Sequence, residues 1–234
     1  KALRADKSAT GVKVTIEVGG KTEVLEADAV LVAVGFAPNS GNLNLAGAGV
    51  ATDPKGFIAV NDQMRTNAPG IYAIGDVTGP PLLAHRASKQ GEVAAEVIGG
   101  KHGGWDVQAM PAAIFTDPEI ATVGMSEGEA KASGIPFKSG KFMFGANGRA
   151  LSTGHADGSV KVIMHAQTHA VLGAAIVGPG ASDLISEIAL GMELGALVDD
   201  IGLTVHPHPT LPEAVMEAMK ATLGEAIHAL NRAS

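Results

Sequence analysis

The hydrophobic pattern of the chain switches near residue 113, and the switch separates two kinds of architecture. Before it, short apolar runs alternate with glycine-rich turns. GVKVTIEV places Val12, Val14, Ile16 and Val18 at period two, the mark of a half-buried strand. Gly19-Gly20 marks a hairpin turn. TEVLEADAVLVAVG then predicts a second strand and a near-continuous apolar one, Val30–Val34, of the kind that a sheet covers on both faces. FAPNSGNLNLAGAGV is rich in turn residues. Gly56–Val60 and Ile71–Ile74 predict two further short strands, the second buried and ending in Gly75-Asp76. Leu82–Gly99 predicts a helix with Leu83, Ala87, Ala94, Val97 and Ile98 on its apolar face and Gly99-Gly100 as its stop. Residues 101–112 read as a linker.

After the switch, strands come first and helices last. Ile114-Phe115, Ile120–Val123, Val160–Met164 and Val171–Val177 predict strands, and Phe137, Phe142 and Phe144 are expected in strands as well. Ser126 followed by Glu129 reads as a capping box opening a short helix to Ala132. Ala181–Leu197 predicts a long helix with a stripe of Leu184, Ile185, Ile188, Leu190, Met192 and Leu194, and Thr210–Leu223 predicts the last one. That order reads as an α+β domain.

Composition narrows the function classes. Of 234 residues, 46% are hydrophobic and 18% charged, which suits one or two globular domains and excludes overall disorder. Aromatics are only 3% while 31 residues are glycine, so the expected core is close-packed Ala, Val and Gly. The longest apolar run falls well short of the roughly 20 residues that span a bilayer. A net charge of −7 without a basic run argues against nucleic acid as a partner. The absence of cysteine excludes a disulfide framework, a thiolate metal site and a cysteine nucleophile within these residues. Of the eight histidines only His206 and His208 lie within three residues of each other, and no carboxylate cluster accompanies them, so no metal site is expected. There is no internal repeat.

Three segments carry chemistry. In TNAPGIYAIGD, a strand ends in Gly75-Asp76: Gly75 permits close backbone approach, and the Asp76 carboxylate can accept hydrogen bonds from sugar or ribityl hydroxyls. The plainer reading is an aspartate capping a turn. PPLLAHRA, with Leu83, Ala84 and His85, then opens a helix whose N-terminal N–H groups and dipole favour negative charge. His85 reads equally well as a polar residue satisfied in the first turn. In HPHPTLPE, Glu213 can orient and charge the His208 imidazole as a general acid/base. Thr210 and Glu213 also read as a capping box, with Pro212 suited to a first helical turn.

The pattern from Thr66 to Asp76 is similar to the second flavin-binding motif of the FAD-dependent pyridine nucleotide–disulfide oxidoreductases. His208-Pro-Thr-x-x-Glu213 resembles the active-site signature of that family's disulfide-reductase branch, and the preceding His206 makes it most similar to members that oxidise dihydrolipoamide. Gly178–Ile185, Thr116–Glu119 and Asn147–Ala150 share that resemblance, which is clearest from Val30 to Glu217. Three features depart from it. No G-x-G-x-x-G fingerprint and no C-x4-C redox pair occur, and Phe36 follows Gly35 where the family often has a basic residue.

The resemblance implies an α/β plus α+β fold: the C-terminal part of a flavoprotein with two dinucleotide-binding domains, then an α+β dimerisation domain with an antiparallel sheet flanked by helices. The expected boundaries are 1–38 for the tail of a NAD-binding domain, 39–112 for part of a FAD-binding domain and 113–234 for the dimerisation domain. Gly75, Asp76, Leu83, Ala84 and His85 would then face FAD, and His208 with Glu213 would serve the substrate thiol across a homodimer interface. The whole enzyme would pass electrons from dihydrolipoamide, carried on an acyltransferase or carrier protein of a 2-oxo acid dehydrogenase complex, through a dithiol–disulfide and FAD to NAD. The expected compartment is the cytoplasm, with the mitochondrial matrix as the alternative. The chain opens as if in mid-domain, so these residues alone are expected to be inactive and to bind no cofactor. The competing readings are a glutathione- or mercuric-reductase type enzyme and a non-catalytic dimerisation module.

Overall fold

A computed structural model describes residues 1–231. The first elements are β1 (Ala2–Lys7), β2 (Val12–Val18) and β3 (Lys21–Ala27), an antiparallel meander in that order. Val18 pairs with Lys21 across the two glycines, as the Gly19-Gly20 signal predicts.

Three strand expectations in this region are corrected. Residues 28–36 join no strand, and Leu31, Val32, Val34 and Phe36 lie open to solvent. A strand needs a neighbour for its backbone groups, and no described strand lies beside this run. Gly56–Val60 and Ile71–Ile74 form only single bridges, Thr52 with Ile58 and Arg65 with Tyr72. Their apolar residues still collect into a small core of Val50, Ile58, Ala68 and Ala73. Helix α1 (Ala84–Ile98) buries Val93, Ala94 and Val97 against Met64. Ile98 is exposed rather than part of that face.

The second region is one five-stranded antiparallel sheet with helices packed on it. Its strands are β4 (Ala112–Ile114), β5 (Ile120–Gly124), β6 (Phe137–Met143), β7 (Ser159–His165) and β8 (Val171–Val177), in the order β4-β5-β8-β7-β6. Helix α2 (Glu127–Ala132) starts at Ser126 with the capping box complete: Glu129 N–H donates to Ser126 Oγ, and Ser126 N–H to the Glu129 carboxylate. Phe144 is not in a strand. It opens a 3-10 turn to Ala146, fully buried, and α3 (Gly148–Ser152) follows.

Helix α4 (Ala181–Glu193) is shorter than its pattern predicts. Leu194 caps it and Gly195 takes the left-handed conformation that stops a helix, so α5 (Val198–Leu203) is a separate turn. Leu184, Ile185 and Ile188 enter the core, whereas Leu190 and Leu194 face outward. The start of α4 is capped at long range. Gly180 offers no side chain, and Glu119 accepts from the N–H and hydroxyl of Ser182 instead. Those two bonds hold the Glu119 carboxyl below the usual carboxylate range.

Helix α6 (Glu213–Leu223) lies along β6 and β7 and places Ala214, Val215, Ala218 and Met219 in the core. It comes so close to β6 that a Cβ on Gly140 would strike the backbone of Ala218 and Thr222. A glycine at that strand position is what lets the helix carrying Glu213 seat directly on the sheet. No helix of the described residues is long and apolar enough to cross a membrane.

Candidate functional site

Glu213 is the first residue of α6, and Pro212 before it already holds helical angles. Both carboxylate oxygens are committed. Oε1 lies 2.9 Å from His208 Nδ1, and Oε2 accepts from Thr210 N–H at 2.8 Å. The reciprocal bond of a capping box is not made, and the Thr210 hydroxyl instead donates to the Pro207 carbonyl at 2.7 Å. Burial opposes the charge on Glu213, but the Thr210 N–H and the His208 imidazole outweigh it and hold the carboxyl below its usual range. An ionised carboxylate only accepts, so His208 Nδ1 bears the hydrogen, and among the described residues nothing is bonded to Nε2. The orienting carboxylate is 18% exposed and the ring 77% exposed: one side is anchored and the other is open to a reactant.

Asn147 fastens this loop from across the fold. It is buried, its Oδ1 accepts from Ala150 N–H to cap α3, and its Nδ2 donates to the Thr210 carbonyl at 2.9 Å. The Asn147–Ala150 motif thus connects α3 to the loop of His208. Glu217, one turn beyond Glu213 and 1% exposed, accepts from Ile227 N–H and His228 N–H and pairs with His228 Nδ1 at 2.8 Å. His208, Glu213, Glu217 and His228 line one cavity of about 250 Å³. Asn147, Glu217 and His228 were not expected at the site. Two signals pointed to them: the family-like motif that opens at Asn147, and the four-residue spacing of Glu213 and Glu217, which puts both on one side of α6.

The second group lies about Asp76, in a 3-10 turn from Gly75 to Thr78. Gly75 has φ +77 and donates its N–H to the buried Gln90 Oε1 at 2.7 Å. Its missing side chain lets the turn approach α1, since a Cβ would sit 3.2 Å from that of Ala87. Thr66 is structural: its hydroxyl donates to the Ile71 carbonyl at 2.9 Å and closes the Pro-Gly turn. Arg86 ties the turn to the helix through the carbonyls of Gly79 and Pro81 and the Thr78 hydroxyl. His85 Nε2 lies 2.7 Å from the Pro111 carbonyl, so the ring tethers the segment after α1. The Asp76 carboxylate is exposed and engaged in no hydrogen bond among the described residues. Leu83 caps α1 without a side-chain bond, and the first helical bond runs from Ala87 N–H to the Leu83 carbonyl. An open carboxylate beside open helix N–H groups is the donor and acceptor set that a flavin nucleotide needs, so the residues fit that group. The cavity that His208 lines does not include Asp76. Among the described residues no group of three or more potential metal ligands occurs.

Comparison with known proteins agrees along the chain. The family described as pyridine nucleotide-disulphide oxidoreductase matches residues 1–91, and its dimerisation domain matches residues 110–219. A dihydrolipoyl dehydrogenase of Thermus scotoductus is 50% identical over 234 residues, covering 99% of this chain and 50% of that protein. Those of Haloferax volcanii and Geobacillus stearothermophilus are 50% and 45% identical, with 95% and 99% of this chain covered and 47% and 49% of theirs. Among solved structures, LpdA of Mycobacterium tuberculosis superposes with a TM-score of 0.85 at 30% identity, over 94% of this chain and 48% of that one. The chain spans about half the length of the curated relatives it matches.

Proposed function

The chain belongs to the pyridine nucleotide–disulphide oxidoreductase family, and on that premise we propose that it supplies the C-terminal half of a dihydrolipoyl dehydrogenase, in which His208 takes the proton from a thiol of dihydrolipoamide. The observation that carries this reading is the Glu213–His208 pair, with both carboxylate oxygens committed and Nε2 left free. A thiolate, not a thiol, attacks a disulfide, so the reaction needs a base at that atom. Proton transfer to Nε2 makes an imidazolium, which the Glu213 carboxylate stabilises at Nδ1. The relatives that share 45–50% identity are named for this activity.

Asp76 and the backbone at Leu83 and Ala84 would hold FAD, and Gly75 gives the approach its room. Bound FAD supplies the route by which an electron pair passes from the dithiol to NAD. The redox disulfide would come from residues outside this chain, which has no cysteine. We assign residues 1–38 to the tail of a NAD-binding domain, 39–112 to part of a FAD-binding domain and 113–234 to a homodimer interface. The outward Leu190, Leu194, Leu203 and Val205 support that interface, since they lie on the elements that flank the His208 loop. An acyl-carrying component of a 2-oxo acid dehydrogenase complex is the partner this reading implies, and the cytoplasm the compartment.

The test is the reading frame upstream of Lys1 and the protein it encodes. We expect G-x-G-x-x-G and C-x4-C upstream, and dihydrolipoamide-dependent reduction of NAD by the encoded protein. His208→Gln should lower its turnover by roughly 10²–10⁴-fold. The purified chain with FAD, NAD and dihydrolipoamide should turn over nothing. An upstream frame without the cysteine pair would leave His208 no dithiol to serve and end the proposal.

A further inference from the structure

Four histidines of the second region pair with carboxylates: His169 with Asp199, His206 with Glu187, His208 with Glu213 and His228 with Glu217. In three of them Nδ1 faces the carboxylate, and among the described residues no acceptor stands at Nε2. One proton on the ring satisfies such a pair. His206 is wired differently. Its Nε2 lies 2.7 Å from Glu187 Oε1, and its Nδ1 lies 2.8 Å from the Thr204 carbonyl oxygen.

A carbonyl only accepts, so Nδ1 must donate. A carboxylate also only accepts, so a proton must stand between Nε2 and Glu187 as well. The pair therefore holds one proton more than the pair at His208 requires. The His206 side chain is only 5% exposed, so solvent cannot replace either partner. The neighbouring carboxylates are engaged elsewhere: Asp199 with His169, Asp200 with Leu197 N–H, and Glu213 with His208 and Thr210. Glu187 is the charge that faces this ring.

Position gives the arrangement its consequence. Thr204 caps α5, Glu187 belongs to α4, and His206 precedes His208 by two residues. We propose that His206 is a positioning residue: a doubly donating imidazole that pins the segment between α5 and α6 onto α4, and so sets where His208 meets Glu213. The value of that placement rests on the function proposed for His208, whereas the clamp itself does not. A neutral ring here would have one proton for two acceptors and could keep only one of the two bonds, to Glu187 or to the Thr204 carbonyl.

Ring 1H–15N spectra of the histidines in the whole chain read the clamp directly, without any turnover. They are recorded at a pH about one unit above the ordinary histidine value of about 6.5. In the unmodified chain both nitrogens of His206 should be protonated, and His208 should carry its proton on Nδ1. Glu187→Gln keeps a bond to Nε2, because its amide can donate. His206 should become singly protonated there, while His208 keeps its Nδ1–H. Glu187→Leu and His206→Phe remove the bond, and His208 should lose its Nδ1–H preference while backbone signals of β7 and β8 stay in place. An unprotonated Nε2 on His206 in the unmodified chain overturns the proposal. So does a His208 tautomer that neither Glu187→Leu nor His206→Phe changes. If the clamp is found and the longer protein lacks dihydrolipoamide turnover, the proposed function fails and the clamp stands.

Discussion

Residues 112–231 bury Phe142, Phe144, Met164, Ile176 and Ile188 almost completely around one sheet, whereas Leu31, Val34 and Phe36 of the first region are 90%, 89% and 82% exposed. Both stretches are apolar in sequence. The difference lies in what each apolar face meets. In the second region every strand of the sheet has a hydrogen-bonded neighbour, and α4 and α6 close over it. In the first, two small clusters about Ala73 and Val93 hold the turns and α1 together, and residues 28–36 pack on neither. The two candidate sites inherit that contrast. The His208–Glu213 pair is fastened by the cap of α3, the start of α6 and the loop between α5 and α6, itself bonded to α4 through His206, while Asp76 and Ala84 are presented at an open face.

Substitutions can break this comparison. Phe142→Ala should destabilise the second region by about 3–5 kcal/mol, whereas Leu31→Ala should stay within about 0.5 kcal/mol, both read by denaturant unfolding. Equal losses would mean that residues 30–36 are packed after all. Gly140→Ala should cost about 1–3 kcal/mol by forcing α6 off β6. Its sharper sign is at the site, because Glu213 moves with the helix and His208 Nδ1 should lose its bonded proton in the ring 15N spectrum. Ser126→Ala removes one half of a complete capping box and should cost about 1 kcal/mol, seen as a lower denaturation midpoint with an unchanged slope.

The smallest effect concerns acid. Folding depresses the Glu213 carboxyl through Thr210 and His208 against the cost of burial. A depressed carboxyl stabilises the fold above its unfolded value, and that contribution is lost as pH falls through the folded value. The stability gap between the unmodified chain and Glu213→Gln should therefore be widest near neutral pH and close below the usual carboxylate range. A gap that does not change with pH would mean that the carboxylate serves the loop by shape alone.

Much of the second region was legible because its signals are local. The continuous apolar run Val171–Val177 matches β8 residue for residue, and Ser126 with Glu129 marks the start of α2. His208 and Glu213 were legible for the same reason: five residues and one helix start separate them. Elements that depend on distant partners were not. Residues 30–34 read as a strand but have no strand beside them. Leu190 falls off the face of Leu184 and Ile188, and Leu194 lies where Gly195 ends the helix, so both face outward. The bonds from Asn147 to Thr210, from Glu119 to Ser182 and from His206 to Glu187 join residues 63, 63 and 19 positions apart, and no local pattern announces them.

The sequence by itself determined the family, the order of strands and helices in the second region, and the two candidate sites, His208 with Glu213 and Asp76 beside the start of α1. These depend on periodicity, caps and turn residues, which act over a few positions. Only the tertiary structure decided which hydrogen-bonding atoms each site group keeps free. That choice depends on which donor or acceptor the fold delivers to each nitrogen and oxygen. It left Nε2 open on His208, closed both nitrogens of His206, and left the Asp76 carboxylate to solvent.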